Sequence, residues 1–126
     1  MTELIEVNVA NLSGEALGWA VGKAEGLDVL LAPPVYGNPW RVFVRYAGEV
    51  TTRDVRYAPS GSWDVAGPLI SKHRVSIIYS DEVCDPCAWT DATAAWHAAT
   101  PLIAACRAIV AAKLGDTVQV PKELIP

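Results

Sequence analysis

The segment from Thr100 to Gly115 constrains the fold more than any other part of the chain. Thr100 is a typical helix N-cap residue and Pro101 suits the first helical position. Gly115 is placed to end a helix, because glycine adopts the left-handed conformation found there. The apolar side chains between them form one stripe: Leu102, Ile103, Cys106, Ile109 and Val110. We therefore predict an amphipathic helix that packs this stripe into a core.

A second helix is predicted near the start of the chain, after a first strand. Residues 6–9 alternate polar and apolar side chains, which is typical of a half-buried strand. Ser13 can cap a following helix and Gly26 can end it. Apolar residues recur between them at helical spacing: Leu17, Ala20, Val21 and Ala24.

The middle of the chain is predicted to be extended. In residues 40–46, Trp40, Val42, Val44 and Tyr46 share one strand face, and Arg41, Phe43 and Arg45 share the other. A turn over residues 47–49 leads into a strand over residues 50–55. Residues 57–70 contain many turn-forming residues, so we predict an aromatic loop there. We predict further short strands at 75–79 and 88–90.

These elements predict one domain over residues 1–126 with an α+β fold. Its sheet is expected to be mainly antiparallel with about four to five strands, alongside two principal helices. The composition is 52% hydrophobic and 19% charged, which allows a core to form without disulfides. A net charge of -4 argues against a protein that binds duplex nucleic acid. We expect no cofactor, no membrane contact and, from the odd count of three cysteines, a reducing compartment.

Several sequence blocks resemble a known family. They are Leu12-Ser13-Gly14-Glu15-Ala16-Leu17-x-Trp19-Ala20-Val21-x-Lys23-Ala24-Glu25-Gly26, Tyr57-x-Pro59-Ser60 with Trp63, Gly67-Pro68-Leu69-Ile70, Thr100-Pro101-Leu102-Ile103-Ala104-Ala105-x-Arg107, and Lys113-Leu114-Gly115-Asp116 to Val120-Pro121. Together they are similar to the phage NinX-like family, small proteins of uncharacterised function from tailed phages and prophages. The resemblance implies a phage-type accessory protein in the cytoplasm of the infected bacterial host. A shorter similarity, through Tyr57-x-Pro59-Ser60 and Trp63, is to phage anti-Thoeris sponges that sequester nucleotide-derived immune signals.

A cationic zone marks a candidate ligand site. Residues 41–74 hold six basic and three acidic side chains, a local charge of +3 in an acidic protein. Guanidinium groups and aromatic rings suit a phosphate and a stacked base. The candidate ligand-binding residues are Arg41, Phe43, Arg45, Tyr57, Ser60, Trp63 and Arg107. The alternative for the strand residues is a solvated face, and for Arg107 a structural role in which the guanidinium points at a carbonyl or forms a salt bridge with a carboxylate.

Metal and catalytic sites are less well supported by the sequence. Cys84 and Cys87 have the spacing of two zinc ligands, with Cys106, His73 or His97 to complete a set, but the second ligand pair typical of zinc sites is missing. Cys106 also falls on the apolar helix stripe. No nucleophile or hydrolase motif accompanies either histidine, so we assign no catalytic residue.

Three functions remain open at this stage. The first is non-enzymatic binding of a small anionic, nucleotide-like ligand by a homo-oligomer, which would sequester a host immune signal. The second is a protein–protein adaptor or inhibitor of a host or phage enzyme. The third is a hydrolase of a signalling nucleotide.

Overall fold

The computed structural model of the chain describes residues 3–79 and 86–125, and it has the predicted α+β fold. Its helices are α1 (Gly14–Ala24), α2 (Trp63–His73) and α3 (Pro101–Leu114). Its strands are β1 (Leu4–Asn8), β2 (Val29–Ala32), β3 (Arg41–Ala47), β4 (Thr52–Arg56), β5 (Ser76–Ile78), β6 (Cys87–Trp89), β7 (Trp96–His97) and β8 (Thr117–Pro121). No helix in these described segments is long and apolar enough to cross a membrane.

The antiparallel pairing is confirmed, and within the described residues it is distributed over three small sheets. β1 pairs with β8, so the two ends of the chain lie together. β2, β3 and β4 form a three-stranded sheet in that order, and β5, β6 and β7 form another. Alternation along a strand predicts which side chains share a face but does not specify the partner strand. The division into three sheets was therefore outside the sequence prediction.

The two predicted helices are confirmed and form the centre of the core. The Thr100 hydroxyl accepts a hydrogen bond from the Ile103 N–H at 3.2 Å, and Gly115 ends α3 with a φ of 91°. Cys106 is fully buried on α3, on the apolar face where the spacing placed it. Ser13 stands at the N-cap of α1, although its side chain makes no capping hydrogen bond.

The prediction of a loop over residues 57–70 is wrong for its second half, because Trp63–His73 forms α2. Gly67 and Pro68 suggested a break, since proline removes a helical N–H donor. Gly67 relieves the steric clash that a side chain before proline would cause in a helix. The helix is held to the core by side chains at helical spacing: Ala66, Leu69, Ile70 and His73 are buried or half-buried.

One carboxylate ties the three-stranded sheet to α1. The Tyr57 N–H donates to the Val42 carbonyl at 3.0 Å, but the chain then leaves the sheet. Glu15 on α1 takes the vacated position and accepts from the Val42 N–H at 2.7 Å. Its second oxygen accepts from Arg56. This arrangement fixes α1 against the end of the β3–β4 pair.

Candidate functional site

The three predicted residues of β3 share the outer face of the three-stranded sheet. Arg41 lies over the ring of Phe43, 5.6 Å from its centroid. Arg45 donates two hydrogen bonds to Asp54, at 2.9 and 3.2 Å. This ion pair leaves Arg45 with little unbalanced charge for an anion. A shallow depression of about 330 Å³ lies beside Phe43 and Arg45, with Leu30 on its wall.

Arg107 lies in another part of the fold. Its Nε donates to the Leu12 carbonyl at 3.0 Å and its Nη1 to the His97 carbonyl at 2.9 Å. Burial lowers the pKa of the guanidinium. Its contacts hold α3 to the chain segment before α1 and to β7. Arg107 therefore does not join Arg41 and Arg45 in one phosphate site.

The predicted residues Tyr57 and Trp63 differ in their exposure to solvent. Tyr57 is buried, with 5% of its surface exposed, and burial raises the pKa of its hydroxyl. Trp63 begins α2 with 51% of its surface exposed. Ser60 is half-buried in the short 3-10 turn over Pro59–Gly61.

A cleft of about 400 Å³ lies between the end of α1, the β3–β4 hairpin and α2. Its lining combines aromatic, apolar and charged side chains: Glu25, Leu27, Tyr46, Val55, Arg56, Tyr57, Asp64, Val65, Leu69 and Lys72. Among the seven predicted ligand residues, Tyr57 is the one that lines it. Ligand sites are concave and combine apolar walls with a few polar groups, and this cleft has both properties.

A buried ionic network borders the cleft. The Glu25 carboxylate contacts His73 Nε2 at 2.6 Å and Lys72 Nζ at 3.0 Å. The side chains of Glu25 and His73 are only 5% and 8% exposed, whereas Lys72 is 61% exposed. Burial by itself would raise the pKa of Glu25, but the hydrogen bonds from Lys72 and His73 outweigh it, so that the pKa is lowered. The network keeps Glu25 ionised and joins α1 to α2.

Carboxylates from α1 neutralise much of the cationic zone. Glu15 pairs with Arg56 and Glu25 with Lys72, and both acids lie outside the 41–74 window. Arg53 makes no ion pair with any residue in the described segments, and it lies over the Tyr46 ring, 5.9 Å from the centroid. The positive charge left at this end of the sheet is therefore beside the cleft.

Sequence reasoning missed most of the cleft lining because its residues come from three separate segments. From the sequence, Glu25 is a polar residue at a helix end and gives no sign of a binding site. Lys72 lies near the end of a helix that was not predicted. One signal was present: Val65, Leu69 and His73 recur every four residues, which is helical spacing. That spacing would have placed Lys72 and Asp64 on the same short element.

The thiols and imidazoles do not assemble a metal site in the described part of the chain. Cys84 lies outside the described residues, and Cys87 is buried in β6. Burial raises the pKa of Cys106 to about 12, so its thiol stays protonated and unreactive. No three His, Cys, Asp or Glu side chains cluster within residues 3–79 and 86–125 in a way that suits a metal ion.

Comparison with known proteins identifies the family. Residues 8–113 match the family model described as Bacteriophage P22, NinX. The chain belongs to the phage NinX family. No curated protein matches the chain, and the short similarity to anti-Thoeris sponges has no support.

The matched region of this NinX-family protein contains the whole cleft, whose lining runs from Glu25 to Lys72. It also contains α1, α2 and the three-stranded sheet, whereas β8 lies beyond it. The match supports a phage accessory protein.

Proposed function

We propose that this NinX-family protein binds a small anionic, nucleotide-like ligand in the cleft between α1, the β3–β4 hairpin and α2. The observation that carries the proposal is the lining of this cleft of about 400 Å³, which sets the Tyr46 and Tyr57 side chains beside the charged groups of Arg56 and Asp64. This location replaces the one predicted on the β3 face, where Arg45 is held by Asp54.

Each part of a nucleotide has a matching group at the cleft. Arg53 provides positive charge for phosphate, since it lies over the Tyr46 ring and makes no ion pair in the described segments. Tyr46, 45% exposed, offers a ring on which a base stacks. Asp64 is an exposed carboxylate on the rim and is a suitable acceptor for ribose hydroxyls.

The proposed role is sequestration of a nucleotide-derived host immune signal without turnover. His73 is held by Glu25 inside the α1–α2 contact, so the imidazole is engaged in joining helices. A sequestering protein needs only affinity and abundance, which suits a small phage protein.

Calorimetry with purified protein tests the proposal against a panel of mononucleotides, cyclic nucleotides and ADP-ribose-type compounds, with inorganic phosphate and pyrophosphate included. We expect at least one nucleotide to bind. Arg53→Gln and Tyr46→Ala should each weaken it roughly tenfold, or about 1.4 kcal/mol. Both side chains are largely outside the core, so the fold should remain intact.

Arg45→Gln is the matched control, because it removes an arginine from the outer face of the same sheet. Its affinity should equal that of the wild type. Absence of heat with every nucleotide would rule out the proposal. If chromatography detected a hydrolysis product of a nucleotide, the protein would be a hydrolase and not a sequestering protein.

A second candidate is an adaptor that engages a host or phage enzyme through the outer sheet face. It is favoured by the half-buried Phe43 and Leu30 on that face, and by Tyr36, which is fully exposed nearby in the chain. Native mass spectrometry of the protein from infected cells should then show a complex of defined mass that Phe43→Ala abolishes. A complex that survives Phe43→Ala would exclude this face.

A further inference from the structure

β4 is an edge strand with hydrogen-bonding groups directed away from the sheet. It pairs with β3 on one side, and no other strand in the described segments pairs with it. All five of its residues are exposed. The Tyr57 N–H points to Val42 of β3, and N–H directions alternate along a strand. The backbone groups of Thr52, Asp54 and Arg56 therefore point outward.

We infer that the protein forms a twofold dimer in which β4 pairs antiparallel with β4 of a second copy, with the axis at Val55. In this register Asp54 lies opposite Arg56 of the second copy, and the reverse contact forms by symmetry. These two residues carry the outward backbone groups, so each such pair exchanges two backbone hydrogen bonds. Val55 meets its own symmetry mate, and 37% of its surface is exposed for that contact.

The charges of β4 favour this register, because an axis at Thr52 would place Asp54 opposite Val50 and would form no pair of opposite charges. An axis at Arg53 or Arg56 would place two guanidinium groups face to face, and an axis at Asp54 would oppose two carboxylates. Like charges directly opposite each other destabilise a strand pair. Charged residues on an edge strand also discourage pairing with foreign strands. The same residues that exclude other strands therefore fit a second copy of this chain.

The dimer also extends the proposed ligand site. Val55 and Arg56 line the cleft, and Tyr57 is part of its lining at the end of β4. Pairing about Val55 brings Arg53 of the second copy opposite Tyr57. Each cleft thereby gains a cation from the neighbouring chain. The dimer does not depend on ligand binding, and its test uses the ligand-free protein.

Sedimentation equilibrium tests the dimer with two charge reversals, Asp54→Arg and Arg56→Asp. Each variant alone places like charges opposite each other and should weaken the dimer at least tenfold. Mixed together, the two variants have complementary strands and should form a heterodimer with nearly wild-type affinity. Native mass spectrometry distinguishes that heterodimer by its mass.

The mixture also controls for damage to the fold. Each reversal breaks an ion pair within the chain, Arg45–Asp54 or Glu15–Arg56, and mixing does not restore those pairs. Val55→Lys leaves both ion pairs in place and should also give monomer. A wild-type protein that is monomeric at about 0.1 mM would overturn the inference. A dimer that persists in Val55→Lys, or a mixture of reversed chains that stays monomeric, would overturn it as well.

Discussion

Arg107 shows how one charged side chain can be structural while resembling a ligand residue. It stands within the apolar helix α3, and its guanidinium donates to the Leu12 and His97 carbonyls. The sequence left a carbonyl, a carboxylate and a bound anion open as partners. The structure shows the first of these, with main-chain carbonyls as the acceptors. A carbonyl partner leaves no trace in the sequence, because every residue has one.

Replacing Arg107 with methionine should therefore lower the free energy of unfolding by about 2–3 kcal/mol, since hydrogen bonds from charged groups contribute strongly and two carbonyls lose their donor. Urea denaturation measures the loss. Lys113→Met, in the exposed last turn of the same helix, should change stability by only about 0.5 kcal/mol. The folded Arg107→Met variant should bind the nucleotide with the affinity of the wild type. A loss of affinity without a matching loss of stability would show that Arg107 contacts the ligand.

Glu25 gives a pH-dependent prediction. Its pKa is lowered in the folded protein, so the unfolded chain binds the proton first as the pH falls. Its stabilising contribution is therefore present above the ordinary carboxyl pKa of about 4.3 and is lost as the pH falls through the lowered folded value. The difference in the free energy of unfolding between the wild type and Glu25→Gln should become smaller as the pH is lowered. Glu49→Gln, in the exposed hairpin turn, is the control, and a difference constant with pH would contradict the account.

At the level of elements, the sequence predicted the boundaries that local chemistry determines. The caps Thr100 and Gly115 placed α3 correctly, and alternation placed Val42 and Val44 on one face of β3, where the structure buries both. Local chemistry gave a wrong prediction where tertiary packing determines the secondary structure. Gly67 and Pro68 predicted a loop, but these residues lie in α2, whose apolar side chains recur at helical spacing and pack against the core. The partner strands and the cleft could not be predicted, because both depend on segments that are distant in sequence.

The contact between α1 and β2 depends on a missing side chain. A Cβ atom at Gly22 would lie 2.7 Å from Cγ2 of the buried Val29 and 3.6 Å from the Tyr57 ring. Gly22→Ala should therefore destabilise the protein by about 1–3 kcal/mol through overpacking, despite the better helix propensity of alanine.

A double-mutant cycle isolates that contact. In a Val29→Ala background the clashing methyl group is gone, so Gly22→Ala should become neutral or stabilising by up to about 1 kcal/mol. Thermal unfolding of the four proteins measures the cycle. Equal destabilisation in both backgrounds would show that the Val29 contact is not the cause.

For the whole molecule, charge counted along the sequence differs from charge arranged in space. The +3 charge over residues 41–74 predicted a local cationic zone suited to a small anionic ligand. Glu15 and Glu25 enter that zone from α1 and neutralise Arg56 and Lys72. What remains is a mixed lining of cations, carboxylates and tyrosines around one cleft. Such a lining favours a small ligand with several kinds of group over a polymer of phosphates.

The most direct test of this account is an amide chemical-shift titration with the nucleotide that binds most tightly in calorimetry. Shifts should concentrate in the backbone around Tyr46, Val55 and Lys72, which surround the cleft, and the amides of Leu30 and Phe43 on the outer face should change little. Shifts confined to the outer face, or no shift with any nucleotide of the panel, would contradict the proposal that the cleft is the ligand site.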